Sequence, residues 1–334
     1  MRGDIVPEDL GLALGHEHLI ARPGRDVVDP DLTLDDEDAA VRELASFRAA
    51  GGGAVVEMTT VDYGRDVDAL ARVSRRGGVH VVAATGFNKG RFADPIVARH
   101  DDDAIVAWMI AEVRHGALPC AAPEEAVLSE PWSAPAEAAH GVAPSPAAAG
   151  IAASVRAGLI KAGTGATGAG PQERRVLAAA IAAHHATGAP IGTHTERTVW
   201  ALEQAQAFVD GGVPPHQVLI GHCDFRPDLA YLLEVASTGV NVGLDQFSKA
   251  KYLSDEARVR LVAGLAAAGK LRQVILSGDL ARKSYWPAYG HDAPGFAHIP
   301  TTIAAMLRSE GFGEADVDVV LRENPRRWLG FEPR

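Results

Sequence analysis

Leu10-Gly11-Leu12-Ala13-Leu14-Gly15-His16-Glu17-His18 is a short apolar run that ends in two histidines one residue apart. On an extended strand successive side chains point to opposite faces, so His16 and His18 project the same way while Glu17 turns from them. Two imidazoles on one side of a strand end can chelate a metal, although an isolated His-x-His can equally be two unrelated histidines. The rest of the chain repeats the placement. Lys161 follows Ala157-Gly158-Leu159-Ile160, His194 follows Pro190-Ile191-Gly192-Thr193, His222 follows Val218-Leu219-Ile220-Gly221, and Asp279 follows Val274-Ile275-Leu276-Ser277-Gly278. Imidazole and carboxylate are the donors that zinc and its first-row neighbours accept.

Read outward from this stretch, the chain alternates strand and helix. Helices are expected over 34–50, 66–76 and 101–114, with strands at 54–58 and 79–84 between them. Residues 117–150 break the rhythm with twelve Ala, six Pro and no Lys or Arg. Such a composition buries too little apolar area to offset chain ordering, and it reads as a mobile surface insertion within one domain spanning 1–334. Alternation then resumes with strands at 157–161, 189–193, 217–221, 240–244 and 273–277, and helices at 172–186, 198–209, 227–236 and 255–268. Eight strands alternating with helices, with every candidate ligand at a strand C-terminal end, predict an α/β fold, a closed (β/α)₈ TIM barrel, whose functional groups gather on that face. An open nucleotide-binding sheet fits less well. The nearest fingerprint, Gly163-x-Gly165-x-x-Gly168, follows the fourth strand and has no acidic residue about 20 positions on.

Composition narrows the function. A net charge of −11, a pI near 5.6 and Lys and Arg that are scattered, with only short pairs such as Arg75-Arg76 and Arg326-Arg327, argue against nucleic acid as partner. Cys120 and Cys223 form no Cys-x-x-Cys pair and read as free thiols of a reducing cytoplasm. No run approaches the ~18 apolar residues of a membrane span and Met1-Arg2-Gly3-Asp4 opens no signal peptide, so the expectation is a cytoplasmic protein with no membrane partner.

The set His16-x-His18, Lys161, His194, His222 and Asp279 resembles the phosphotriesterase-like branch of the amidohydrolase superfamily, the phosphotriesterases and lactonases. The resemblance is carried by Gly15-His16-Glu17-His18-Leu19, Ile160-Lys161-Ala162-Gly163-Thr164, Thr193-His194-Thr195, Gly221-His222-Cys223-Asp224, Leu276-Ser277-Gly278-Asp279 and Glu323-Asn324-Pro325-Arg326-Arg327, and it spans nearly everything outside 117–150. It implies a binuclear centre at the C-terminal face. His16, His18 and Asp279 would hold one divalent metal and His194 and His222 the other, with Lys161 bridging as a carboxylated lysine formed with CO₂. Zinc is the first expectation, and manganese, cobalt or iron suit the same donors. A small-molecule substrate and a homodimer are implied as well.

The implied chemistry is a metal-dependent hydrolase whose metal-bridging hydroxide opens lactones or cleaves carboxylic esters, with promiscuous phosphotriester cleavage, and Asp279 as the catalytic proton carrier. Two departures bear on substrate. Phe225 and Gln246 stand where the phosphotriesterases carry a carboxylate and a histidine that lead the proton away, and Phe87-Asn88-Lys89 stands where lactonases carry a tyrosine. Substrate contact is expected from the loops, with Tyr285 and Trp286 after the eighth strand, and with Lys89, Arg91 and Arg226 meeting an anionic substituent. Two other readings compete: an amidase for small N-acyl substrates, and a barrel that binds a metal or ligand without turnover.

Overall fold

The computed structural model describes residues 3–24, 26–117 and 155–332. Within them the eight expected strands form: β1 (Leu12–Glu17), β2 (Gly52–Glu57), β3 (His80–Gly86), β4 (Leu159–Thr164), β5 (Ile191–Thr195), β6 (Val218–Ile220), β7 (Asn241–Leu244) and β8 (Val274–Leu276). Each pairs in parallel with the next in chain order. Beyond β8 the chain returns to β1, where His16 N donates to Ser277 Oγ at 3.0 Å and Asp279 N to His16 O at 3.1 Å. The result is the (β/α)₈ barrel that the alternation predicts.

Side-chain alternation sorts the apolar residues into two layers. Ala13, Val56, Met58, Leu159, Leu219 and Ile275 fill the barrel interior, and Trp328, donating to Ile191 O at 3.1 Å, packs with them. Their neighbours Leu14, Val55, Ile160, Ile220 and Leu276 face outward and pack under the helices. Gly15 belongs to the inner layer for want of space: a Cβ there would lie 2.4 Å from Ile275 Cγ2.

Five of the helices start where a side chain satisfies their free N–H groups. Asp36 accepts from Asp38 N and Ala39 N, so the first helix runs Glu37–Ala49 and starts three residues later than its sequence suggests. Asp66, Asp101, Asp228 and Ser254 cap later helices in the same way. The short helix Gly90–Val97, with Pro95 inside it, is absent from the sequence reading because eight residues give little periodicity. Strands β4 and β5 run to Thr164 and Thr195, so Lys161 and His194 lie within their strands rather than just past them. Apart from Ala117, the segment 117–150 lies outside the described residues. No described helix is long and apolar enough to cross a membrane.

Candidate metal centre

Strict alternation from the outward-facing Leu14 would turn His16 and His18 toward the helices. The β1–β2 register prevents this: Leu14 pairs with Val55 but Glu17 with Glu57, so β1 carries one extra residue in that interval. Such a bulge re-aims the side chains that follow it. His16 and His18 therefore face the barrel mouth. On β4 and β5 plain alternation suffices, since Leu159 and Lys161 face inward, as do Gly192 and His194. His222 and Asp279 lie just beyond β6 and β8 with positive φ, 58° and 46°. For a non-glycine residue that conformation costs of order 1–3 kcal/mol and persists only where surrounding contacts impose it.

Buried carboxylates supply many of those contacts. Glu17, turned away from the histidines as expected, accepts from Gly278 N at 2.7 Å, Leu280 N at 2.8 Å and Ser277 Oγ at 2.7 Å, sealing β8 to β1. Glu57 accepts from Leu19 N at 2.6 Å, Asp62 from Asn88 N at 2.9 Å, and Asp224 from Gln246 N at 3.0 Å. Burial pushes Glu17 and Glu57 up to about 7, and Asp62 to about 6. These carboxylates tie the end of β1 to β8 and β2, that of β2 to β3, and that of β6 to β7.

At the mouth, His18 Nε2 lies 3.4 Å and His16 Nε2 3.9 Å from Asp279 Oδ1, and the three residues each offer one donor atom within 4.8 Å of the others. Donors about 2.1 Å from a single cation stand at such separations. Thr59 Oγ1, 2.7 Å from His18 Nδ1, fixes that ring with Nε2 toward the site. The second pair is close by, with the His222 ring centroid 4.5 Å from those of both His16 and His194. His222 Nδ1 lies 2.7 Å from Asp245 Oδ1, a carboxylate–imidazole contact of the kind that orients metal-bound histidines. His16, His222 and Asp245 also form a metal-sized group.

The charge states suit cations. Burial lowers His16, His18 and His194, keeping the imidazoles neutral and their lone pairs free. Burial opposes ionisation of Asp279, yet Lys249 and His18 hold its carboxyl well below the usual range. Lys161 is wholly buried; burial brings its amine down to about 8 against the pull of Asp279, Asp62 and Glu57, and Nζ donates to Met58 O at 2.7 Å. His16 Nδ1 is buried without a hydrogen-bond partner. Neutral imidazoles, an ionised carboxylate and a lysine that loses its proton readily fit divalent cations bridged by a carboxylated lysine.

All six sequence-predicted ligands meet at this mouth, whereas the expected substrate contacts divide. Trp286 is corrected outright: it is fully buried, donates to Leu280 O at 2.8 Å and packs on Phe296, because the apolar ring gains more from the core than from an open mouth. Tyr285 is half-buried, with its ring 5.3 Å from Lys249 Nζ. Lys89 is already ion-paired with Glu196, and Arg226 is exposed, 3.8 Å from Asp228. Lys251 lies against the rings of Tyr285 and Tyr252 with no carboxylate partner among the described residues. Neither Asp245 nor Lys249 is assigned a role by the sequence alone. Asp245 carried the usable signal, an acidic residue just past an apolar strand; Lys249 carried none. A cavity of about 380 Å³ lined by Ile5, Leu10, Val81 and Phe331 lies away from these donors, beside the N-terminal ends of the strands.

The sequence profile of the phosphotriesterase family matches residues 1–121 and 146–329. The chain is 31% identical over 320 residues to the phosphotriesterase homology protein of Escherichia coli, covering 96% of this chain and 98% of that one. It is 30% identical over 344 residues to the phospho-furanose lactonase of Mycoplasmopsis agalactiae, covering 99% and 91%. The crystal structure of a lactonase from Listeria monocytogenes superposes with a TM-score of 0.83 at 30% identity, covering 99% and 98% of the two chains.

Proposed function

This chain belongs to the phosphotriesterase family, and on that premise we propose that its mouth holds two divalent cations bridged by carboxylated Lys161 and hydrolyses lactones. The family and its lactonase relatives make the chain a metal-dependent hydrolase of lactonase type; the paired metals, the carboxylated lysine, the residue roles and the substrate are the finer reading. The observation that carries it is the convergence of His16, His18 and Asp279 beside a buried Lys161.

His16, His18 and Asp279 would hold one cation, and His194 and His222 the other, with zinc the first expectation. Bound there, the cations would polarise the substrate carbonyl and lower the pKa of a shared water from ~15.7 toward ~7. Lys161, as its neutral amine, would take up CO₂ and present a bridging carboxylate; burial favours that neutral form. Asp245, through Nδ1, would keep His222 Nε2 toward the site. Asp279 would accept the proton released in the attack and deliver it to the departing alkoxide oxygen.

The name of the Mycoplasmopsis relative, and cations at the rim such as Lys251 and Arg226, favour a lactone bearing an anionic substituent. The pairing of Lys89 with Glu196 leaves it a smaller part in that recognition than its position after β3 suggests. The single-domain organisation and homodimer complete the proposal, the latter open to sedimentation analysis. A panel of lactones with and without phosphate or carboxylate, esters, phosphotriesters and N-acyl amides tests the substrate. Highest kcat/KM on anionic lactones supports the reading; preference for N-acyl amides replaces it with an amidase, and no turnover on any member with metal bound replaces it with a binding barrel.

A further inference from the structure

Asp279 is held from a side that the ligand set does not include. The ammonium of Lys249 donates to Asp279 Oδ2 at 2.7 Å, to Asp279 O at 2.6 Å and to Gln246 Oε1 at 2.9 Å. An ammonium has three N–H bonds, and all three are spent. Gln246 Nε2 adds a donor to Oδ2 at 2.9 Å, while the opposite oxygen, Oδ1, faces His18 Nε2 at 3.4 Å. The two carboxylate oxygens are therefore unlike: Oδ1 looks to the histidines and Oδ2 to Lys249 and Gln246. Lys249 reaches this position through a turn after β7 in which Lys249 N donates to Gln246 O at 3.2 Å, and Ser248, at φ 73°, donates through its N–H to Asp255 Oδ1 at 2.7 Å.

We propose that Lys249 is the positioning residue of Asp279, a clamp on both its carboxylate and its carbonyl that fixes which oxygen meets the metal side. A carboxylate alone can rotate about its χ torsions, and Asp279 has in addition a backbone of left-handed φ to maintain. Lys249 restrains both at once. Gln246, which by resemblance stands at the position of the phosphotriesterases' relay histidine, donates to the same oxygen of Asp279. Lys249 is buried and its three protons are engaged on Asp279 and Gln246, which separates it from the exposed Lys251, whose ammonium rests on the Tyr285 and Tyr252 rings.

The inference rests on the hydrolase reading, and kinetics on metal-loaded protein separate the two. Lys249→Met is expected to retain the wild-type metal content, to lower kcat by about 10- to 100-fold with KM within about threefold, and to do so alike on a neutral and an anionic lactone. Lys249→Ala should recover part of its kcat with added ethylammonium, which a purely structural loss would not. Lys249→Arg, which keeps the charge and is the variant to use if Lys249→Met does not fold, should retain more kcat than Lys249→Ala. Wild-type kcat in Lys249→Met, or no rescue in Lys249→Ala together with no advantage of Lys249→Arg, overturns the clamp. A defect confined to KM for the anionic lactone does so too, and makes Lys249 a substrate contact. If the wild type turns over no member of the panel, the hydrolase reading fails instead.

Discussion

Asp245 reaches two histidines at once: its Oδ1 lies 2.7 Å from His222 Nδ1 and its Oδ2 3.4 Å from His16 Nδ1, while its carboxylate also accepts from His222 N at 3.0 Å. One carboxylate thus sets the ring of a residue whose backbone is already in an unfavourable region. Asp245→Asn replaces one acceptor oxygen with an N–H donor and breaks part of this network. Metal affinity is expected to fall by about 10- to 100-fold, as is usual when the orienting partner of a ligand histidine is lost. Competition with a chelator measures it, and an unchanged affinity would show that His222 needs no such support.

Lys161 makes assembly of the centre pH-dependent. Only the neutral amine captures CO₂, and burial brings Lys161 from 10.5 down to about 8. About one amine in ten is then neutral at pH 7, against about one in three thousand for an ordinary lysine. Because the pKa is depressed, deprotonation begins earlier as pH rises. Reactivation of metal-free protein by metal at fixed dissolved CO₂ should accelerate about fiftyfold from pH 6 to 8 and level off above that. A rate that is flat across this range, or that needs no CO₂, would remove the carboxylated lysine.

Much of this is legible in the sequence, for a definite reason. Strand-end ligands announce themselves because an apolar run and its terminal donor are adjacent in the chain, so His16, Lys161, His194, His222 and Asp279 can be found one after another. The bulge that turns His16 and His18 inward has no comparable mark; it follows from pairing with β2. Lys249 looks like any loop lysine until the turn at Ser248 carries it back to Asp279. Trp286 misleads because a loop aromatic beside a site resembles a substrate contact, whereas its N–H has a partner in Leu280 O and its ring has the core.

Asp279→Asn tests the proton carrier. The carboxamide side chain would keep an oxygen for the metal side but could neither take up nor deliver a proton. Most of the bound metal should remain and kcat should fall by about 10²- to 10⁴-fold. Turnover equal to wild type would move the proton-carrying role elsewhere.

Beneath β3, the guanidinium of Arg65 donates to Glu112 at 2.9 and 2.5 Å, both side chains being buried. Arg65→Met would strand the carboxylate without its cation and should lower the unfolding free energy by about 3–5 kcal/mol in urea titration. The double change Arg65→Met with Glu112→Leu should restore most of that loss, since no charge is then left buried. Equal loss in the single and double variants would point to packing rather than charge.

Metal content per chain, measured in wild type and Lys161→Ala purified side by side without chelator, decides whether Lys161 bridges two cations. Close to two divalent ions per wild-type chain and a sharp fall in the variant, with its fold intact by circular dichroism, are expected. One ion or none in wild type, unchanged by the substitution, would contradict the bridge.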